Sequence, residues 1–155
     1  MRIGLGYDVH PFQEGRVLKL GGIVITDHIG LKGYSDADVC IHAVIDALLG
    51  AAGKGDIGTH FPDTNPDYKN ADSAILLKEV LKILGKNNYK VSNIDLNIHL
   101  ETPRLEKYKI PIRNNIASLL GIEIDRVNIK AKTNEKLGFI GRGEGIAVSC
   151  IVLIE

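Results

Sequence analysis

Polar and apolar residues alternate through residues 2–12, and short apolar runs follow at Val17-Leu18-Lys19-Leu20 and Ile23-Val24-Ile25. A period of two predicts half-buried strands, and Gly15, Gly21 and Gly22 mark turns between them. Residues 29–36 read as loop. From Ala37 to Ala52 the period becomes helical, with Val39, Ala43, Ala47 and Leu48 on one stripe and Gly53 as the stop. Two prolines keep residues 55–66 from regular structure. Asp72-Ser73 caps a second helix with an apolar stripe at Leu76, Val80, Ile83 and Leu84, ending at Gly85. Residues 94–100 alternate as a strand until Pro103 breaks it. Residues 105–120 predict a third helix, Val127 to Lys132 another strand, and Ile146 to Ile154 a β-branched strand. Strands, two helices, strand, helix and two strands imply an α+β domain with helices layered on one face of a sheet.

A chain of 155 residues suits one domain with a real core, spanning 1–155. Lysine plus arginine equals aspartate plus glutamate at 19 each, so the basic excess of a nucleic-acid binder is missing. Zero net charge also removes colloidal repulsion and favours self-association. Cys40 and Cys150 lie in apolar runs and read as buried thiols; no CxxC pattern points to redox or zinc-ribbon chemistry. The N-terminus lacks a signal peptide's apolar core, and no apolar run has membrane-spanning length. A cytoplasmic location without membrane attachment is expected.

Asp8-Val9-His10 places a carboxylate and an imidazole on the same face of a strand. Such a pair occurs by chance on many exposed strands. His42, on the first helix, adds a third ligand of the kind zinc accepts, and three protein ligands leave an open catalytic position. Asp38 and Asp46 lie one turn either side of His42, where a carboxylate could hold the ring's second N–H. Tyr34-Ser35-Asp36-Ala37-Asp38 precedes the helix; it can cap the helix, bind phosphate, or do both. Further on, Lys132, Thr133 and Arg142 are phosphate-type donors, and Glu135 offers a carboxylate to a hard cation. His99-Leu100-Glu101 lacks the partner motif of zinc deaminases, and no Walker A or G-x-G-x-x-G sequence occurs.

Taken in order, these segments resemble the 2-C-methyl-D-erythritol 2,4-cyclodiphosphate synthase family. The resemblance runs nearly end to end. It includes Gly6-Tyr7-Asp8-Val9-His10, Ser35-Asp36-Ala37-Asp38 with His42-Ala43, and Asp46-Ala47-Leu48-Leu49-Gly50. It continues through Gly55-Asp56-Ile57-Gly58, Phe61-Pro62-Asp63-Thr64, Lys69-Asn70-Ala71-Asp72-Ser73 and Glu135-Lys136-Leu137-Gly138-Phe139. It closes with Gly141-Arg142-Gly143-Glu144-Gly145.

The resemblance implies a homotrimer with active sites between subunits. Each subunit is then a ferredoxin-like layer, a four-stranded sheet with helices on one face, plus a small N-terminal hairpin. Asp8, His10 and His42 match a site for Zn2+ or another divalent cation, and Glu135 one for Mg2+ or Mn2+ among the substrate phosphates. Asp56, Ile57 and Gly58, with Phe61, Pro62, Asp63, Thr64 and Asn65, match the segment that holds the erythritol. Asp8, Val9, His10, Tyr34 and Ser35 complete that side. Leu100, Thr102, Pro103, Arg104 and Leu105, with Ala131, Lys132, Thr133, Asn134 and Glu135, match the cytidine and diphosphate pocket. Thr133 and Tyr34 stand at catalytic positions, and Phe139 and Arg142 near the phosphates and the trimer's channel. The implied reaction closes a cytidine-diphosphate-linked substrate on itself and releases CMP. The main departure is Tyr34, where the family usually has histidine; a tyrosine carries no cation near neutral pH. Arg104 also replaces a usual lysine, and Lys132 enters a threonine-rich stretch. Two other classes fit parts of the pattern. One is a nucleotide- or isoprenoid-binding trimer without turnover; the other is a metal-dependent phosphohydrolase with Asp56 as its base.

Overall fold

The computed structural model describes residues 1–155 as an α+β fold. Seven strands are β1 (Arg2–Glu14), β2 (Leu18–Leu20), β3 (Ile23–Thr26), β4 (Ile29–Leu31), β5 (Val91–His99), β6 (Val127–Lys132) and β7 (Gly145–Ile154). Five helices are α1 (Val39–Ala52), α2 (Ile57–His60), α3 (Ser73–Lys86), α4 (Lys109–Leu120) and α5 (Gly138–Gly141). The main sheet has five strands in the order β4-β1-β7-β5-β6, and β2 and β3 form a separate two-stranded sheet. The expected four-stranded layer is therefore extended by β4, from a segment expected to be loop. Only three residues long, β4 is held by its antiparallel register, Phe12 opposite Leu31 and Glu14 opposite Ile29.

β1 pairs antiparallel with β7, β7 with β5, and β5 runs parallel to β6 after the α4 crossover. Alternation then sorts the two faces. Cys150, Val152, Leu96, Ile98 and Ile129 point toward the helices and are buried. Ile3, Leu5, Tyr7, Val9 and Ile151 point the other way and stay exposed. Both cysteines are buried and free. No helix is long and apolar enough to cross a membrane.

Other differences from the expected elements follow from local chemistry. The proline-containing loop holds α2, a single turn capped when the Asp56 side chain accepts from the Thr59 N–H at 2.8 Å. The third helix begins at Lys109, after a 3-10 turn at Glu106–Tyr108, so Pro111 falls in its first turn, where a missing N–H costs nothing.

Candidate active site

Glycines on β1 set the distance between sheet and helix. A Cβ on Gly4 would lie 1.8 Å from the Ala47 carbonyl oxygen, and one on Gly6 would lie 2.0 Å from that of Ala43. Only glycine lets α1 lie this close to the strand. Asp8 and His10 continue the same face of β1, so close packing brings them to His42 on α1. Asp8 Oδ2 is 2.9 Å from His10 Nε2 and 3.0 Å from His42 Nδ1, and the two ring nitrogens are 3.3 Å apart. Tetrahedral zinc with bonds of about 2.0 Å needs ligand atoms roughly 3.3 Å apart. The cluster fits a divalent cation with little adjustment, and its atoms are close enough to bind one.

Each ligand is held from behind. His10 Nδ1 lies 2.7 Å from the Lys32 carbonyl oxygen, which can only accept, so Nδ1 carries the proton and Nε2 faces the cluster. The Val9 N–H donates to Asp8 Oδ1 at 2.9 Å, leaving Oδ2 free, while the Val9 side chain turns to the open face. Burial raises the Asp8 carboxyl, but hydrogen bonds and charge from His10 and His42 outweigh it and hold it well below the usual carboxylate range. Burial likewise lowers His10, and the Asp8 carboxylate more than offsets this, raising it.

Asp38 and Asp46 do not hold His42, contrary to the helical-face expectation. Asp38 is the N-cap of α1: it accepts from Cys40 and Ile41 and also from the N–H groups of Gly21 at 2.8 Å and Gly22 at 2.6 Å. Its carboxylate faces back toward the hairpin. Asp46 accepts from the Ile57 N–H at 2.7 Å and so anchors α2. The second ring nitrogen of His42 instead meets Ser73 and Ser35.

A cavity of about 470 Å³ opens on the cluster. Asp8, His10, Tyr34, Ser35 and His42 line it with Ile57, Gly58, Phe61, Pro62, Asp63 and Thr64. Tyr68 and Leu76 also line it; Leu76 was expected only as part of a helix's apolar stripe, and Tyr68, not expected at all, packs edge-on against Phe61 with ring centres 5.4 Å apart. The Tyr34 hydroxyl donates to the Asn65 carbonyl oxygen at 3.2 Å. Asp56 stands at the α2 N-cap beside this wall.

The remaining candidates gather elsewhere. Leu100, Pro103, Arg104, Leu105, Ala131, Lys132 and Thr133 line a separate cavity of about 310 Å³, joined by Glu101, Glu106 and Lys109. Thr102 faces a neighbouring hollow, and Asn134 and Phe139 a third. Thr133 donates to Glu135 at 3.0 Å. Arg142 is paired with Glu144 at 2.6 Å. Glu135 and Lys136 have left-handed backbones, φ 51° and 64°, and Glu101 braces this bend. Its carboxylate accepts from the Asn134 N–H at 2.9 Å and pairs with the Lys136 ammonium at 2.9 Å. No residue lines both the 470 Å³ cavity and the 310 Å³ one.

An open-faced α+β sheet with an Asp–His–His cluster at its strand–helix contact defines an α+β protein whose cavity opens on a candidate metal site. Comparison with known families narrows this class: the YgbB family matches residues 1–155, and the chain belongs to it. The 2-C-methyl-D-erythritol 2,4-cyclodiphosphate synthase of Chlorobaculum tepidum is 56% identical over 155 residues, covering 100% of this chain and 99% of that protein. The bifunctional IspDF of Campylobacter jejuni superposes with a TM-score of 0.95 at 45% identity; 99% of this chain is covered, and it spans 42% of that longer one. The IspF–CDP complex of Plasmodium falciparum gives a TM-score of 0.86 at 35% identity over 99% of this chain and 94% of that one.

Proposed function

We propose that residues 1–155 form one cyclodiphosphate synthase domain. It converts 4-diphosphocytidyl-2-C-methyl-D-erythritol 2-phosphate to 2-C-methyl-D-erythritol 2,4-cyclodiphosphate and CMP, in the non-mevalonate route to isoprenoids. The observation that carries this reading is the Asp8–His10–His42 cluster under its cavity, in a chain 56% identical from end to end to a synthase of that name.

In this reading an oxygen of the substrate's 2-phosphate attacks the β-phosphorus of its own diphosphate. The bond from that phosphorus to the bridging oxygen breaks, and CMP leaves with the electron pair. Both reacting groups belong to one molecule, so holding it folded supplies much of the rate and no protein nucleophile is needed. Bound at Asp8, His10 and His42 and at Glu135, divalent cations (Zn2+ at the first, Mg2+ or Mn2+ at the second) supply charge stabilisation to crowded phosphoryl oxygens. The wall formed by Asp56–Gly58 and Phe61–Asn65 holds the erythritol. Residues 100–105, with Arg104, and Lys132 hold the cytidine diphosphate, and Thr133 donates to developing charge. Tyr34 and Ser35 add hydroxyl donors on the metal side.

The two halves of this site lie in separate cavities of one chain, which supports an active site shared between copies in a homotrimer of ferredoxin-like layers. The open sheet face supports the same assembly: Ile3, Leu5, Tyr7 and Ile151 are all more than half exposed, an apolar patch that a second copy would cover. Phe139 and Arg142 would then stand near the channel between copies.

Tyr34 favours one alternative, a trimer that binds cytidine nucleotides or isoprenoids without turnover. CMP release with substrate in excess separates the two. The synthase releases CMP over many cycles, stops with EDTA, and resumes with zinc and magnesium. Tight CDP binding with no CMP released overturns the synthase reading.

A further inference from the structure

The chain has four buried polar side chains, Ser35, Asp38, His42 and Ser73, and all meet around the start of α1. Asp38 is spent on backbone N–H groups. Ser73 is a different case: it is fully buried, begins α3, and turns its hydroxyl onto the edge of His42. Ser73 Oγ lies 2.9 Å from His42 Nε2 and donates to Asp36 Oδ1 at 2.5 Å. Beyond it, Lys19 Nζ from β2 lies 3.0 Å from Asp36 Oδ2.

The proton directions along this line are forced. Burial raises the Asp36 carboxyl, but the Ser73 hydroxyl and the Lys19 ammonium outweigh it and hold it below the usual range, so it is ionised. An ionised carboxylate only accepts. Ser73 has one hydrogen, and Asp36 takes it. The Ser73 oxygen must therefore accept from His42, and His42 must carry its proton on Nε2. His42 Nδ1, 3.0 Å from Asp8, is the nitrogen turned to the metal position. Ser35 is the lesser partner: its oxygen lies 3.1 Å from Nε2 but also accepts from the Ala37 N–H, and no carboxylate orients its hydrogen.

We propose that Lys19, Asp36 and Ser73 are positioning residues, a chain that locks His42 in its Nε2–H tautomer and aims Nδ1 at the metal. The proposal rests on reading Asp8, His10 and His42 as a metal centre. A liganding histidine donates its second N–H to a partner, and losing such a partner typically costs about 10- to 100-fold in metal affinity. This partner line reaches across β2, the loop before α1, and the first residue of α3. It thereby couples the ligand to the hairpin and to a second helix.

The test uses the full chain and two readouts. Long-range 1H–15N correlation spectra of the zinc-free protein report the tautomer of each histidine, and chelator competition reports zinc affinity. In the wild type, His42 carries a proton on Nε2. Ser73→Ala weakens zinc by about tenfold or more, with Ser35 limiting the loss, and mixes the His42 tautomers. Asp36→Asn, which lets the Ser73 hydrogen turn away, does so to a smaller extent. His10, oriented by the Lys32 carbonyl, keeps its pattern in both and serves as the internal control. A purely structural role would lower the melting temperature without moving the His42 signals. The proposal is overturned if wild-type His42 carries no proton on Nε2, or if both variants bind zinc as the wild type does. Failure of the wild type to bind zinc, with the Nε2–H pattern present and lost in Ser73→Ala, would instead sink the metal-centre reading and leave the tautomer lock standing.

Discussion

Gly6→Ala probes the contact on which the site depends. The added Cβ would lie 2.0 Å from the Ala43 carbonyl oxygen, 2.7 Å from the Ala47 nitrogen and 3.0 Å from the Ala43 carbonyl carbon. All three atoms are backbone, so no side chain can rotate away. Contacts under 3.0 Å do not persist, and relief from 2.0 Å requires α1 and β1 to separate by about 1 Å. Overpacking of this kind costs about 1–3 kcal/mol. For a domain of this size each kcal/mol is worth about 2–4 °C in melting temperature, so a drop of about 2–12 °C is expected. The same separation draws His42 from Asp8 two residues further along β1, and a shift of about 1 Å at a site can cost on the order of 100-fold in rate. Gly50→Ala is the control on the same helix. Its Cβ would meet nothing closer than the Leu5 carbonyl oxygen at 4.0 Å, and an alanine in a helix gains about 0.5–1 kcal/mol over glycine. Calorimetry and chelator competition should therefore show Gly6→Ala melting lower with weaker zinc binding, and Gly50→Ala melting slightly higher with zinc binding unchanged. A Gly6→Ala protein that melts within a degree of wild type and binds zinc equally well would refute the close-packing account.

Three further outcomes are expected. Tyr34→His introduces a group that titrates near neutral pH, so its rate–pH profile should differ from wild type between about pH 6 and 8; overlapping profiles would show that the hydroxyl serves equally well. Leu5→Asp puts a charge on the open sheet face beside Ile151 and should shift the protein toward monomer in sedimentation velocity, with CMP release falling alongside; an unchanged oligomer would remove that face from the interface. Glu101→Gln removes the carboxylate that braces the left-handed bend at Glu135 and Lys136, and should lower kcat about tenfold or more while CDP binding changes less. Lys136 holds that carboxyl below its ordinary 4.5, so its contribution is complete above this value and fades as pH falls below it; acid unfolding of Glu101→Gln should be shallower there.

The Asp8–His10–His42 cluster was legible because its signals are local and periodic. Asp8 and His10 are two apart on an alternating strand, and His42 sits on a helix whose apolar stripe faces that strand. The second nitrogen of His42 was not legible. Asp38 is one turn away in sequence, but an N-cap side chain folds back onto free N–H groups, and the hairpin glycines add two more. The true partner, Ser73, lies 31 residues on and reads locally as part of a helix cap. Glu101 escaped for the same reason: its partners Asn134 and Lys136 come close only after β5 and β6 pair. β4 has too few residues to show a period and exists through its pairing with β1. Long-range partners of this kind are fixed by topology, which a single chain's spacing does not show.

The central claim is ring closure by this chain, and phosphorus NMR of the purified protein with the cytidine-linked substrate, zinc and magnesium tests it most directly. The account predicts two coupled resonances of a cyclic diphosphate rising together with one equivalent of CMP, with no signal from inorganic phosphate. Inorganic phosphate in place of the cyclic product would indicate a metal-dependent phosphohydrolase and contradict the account.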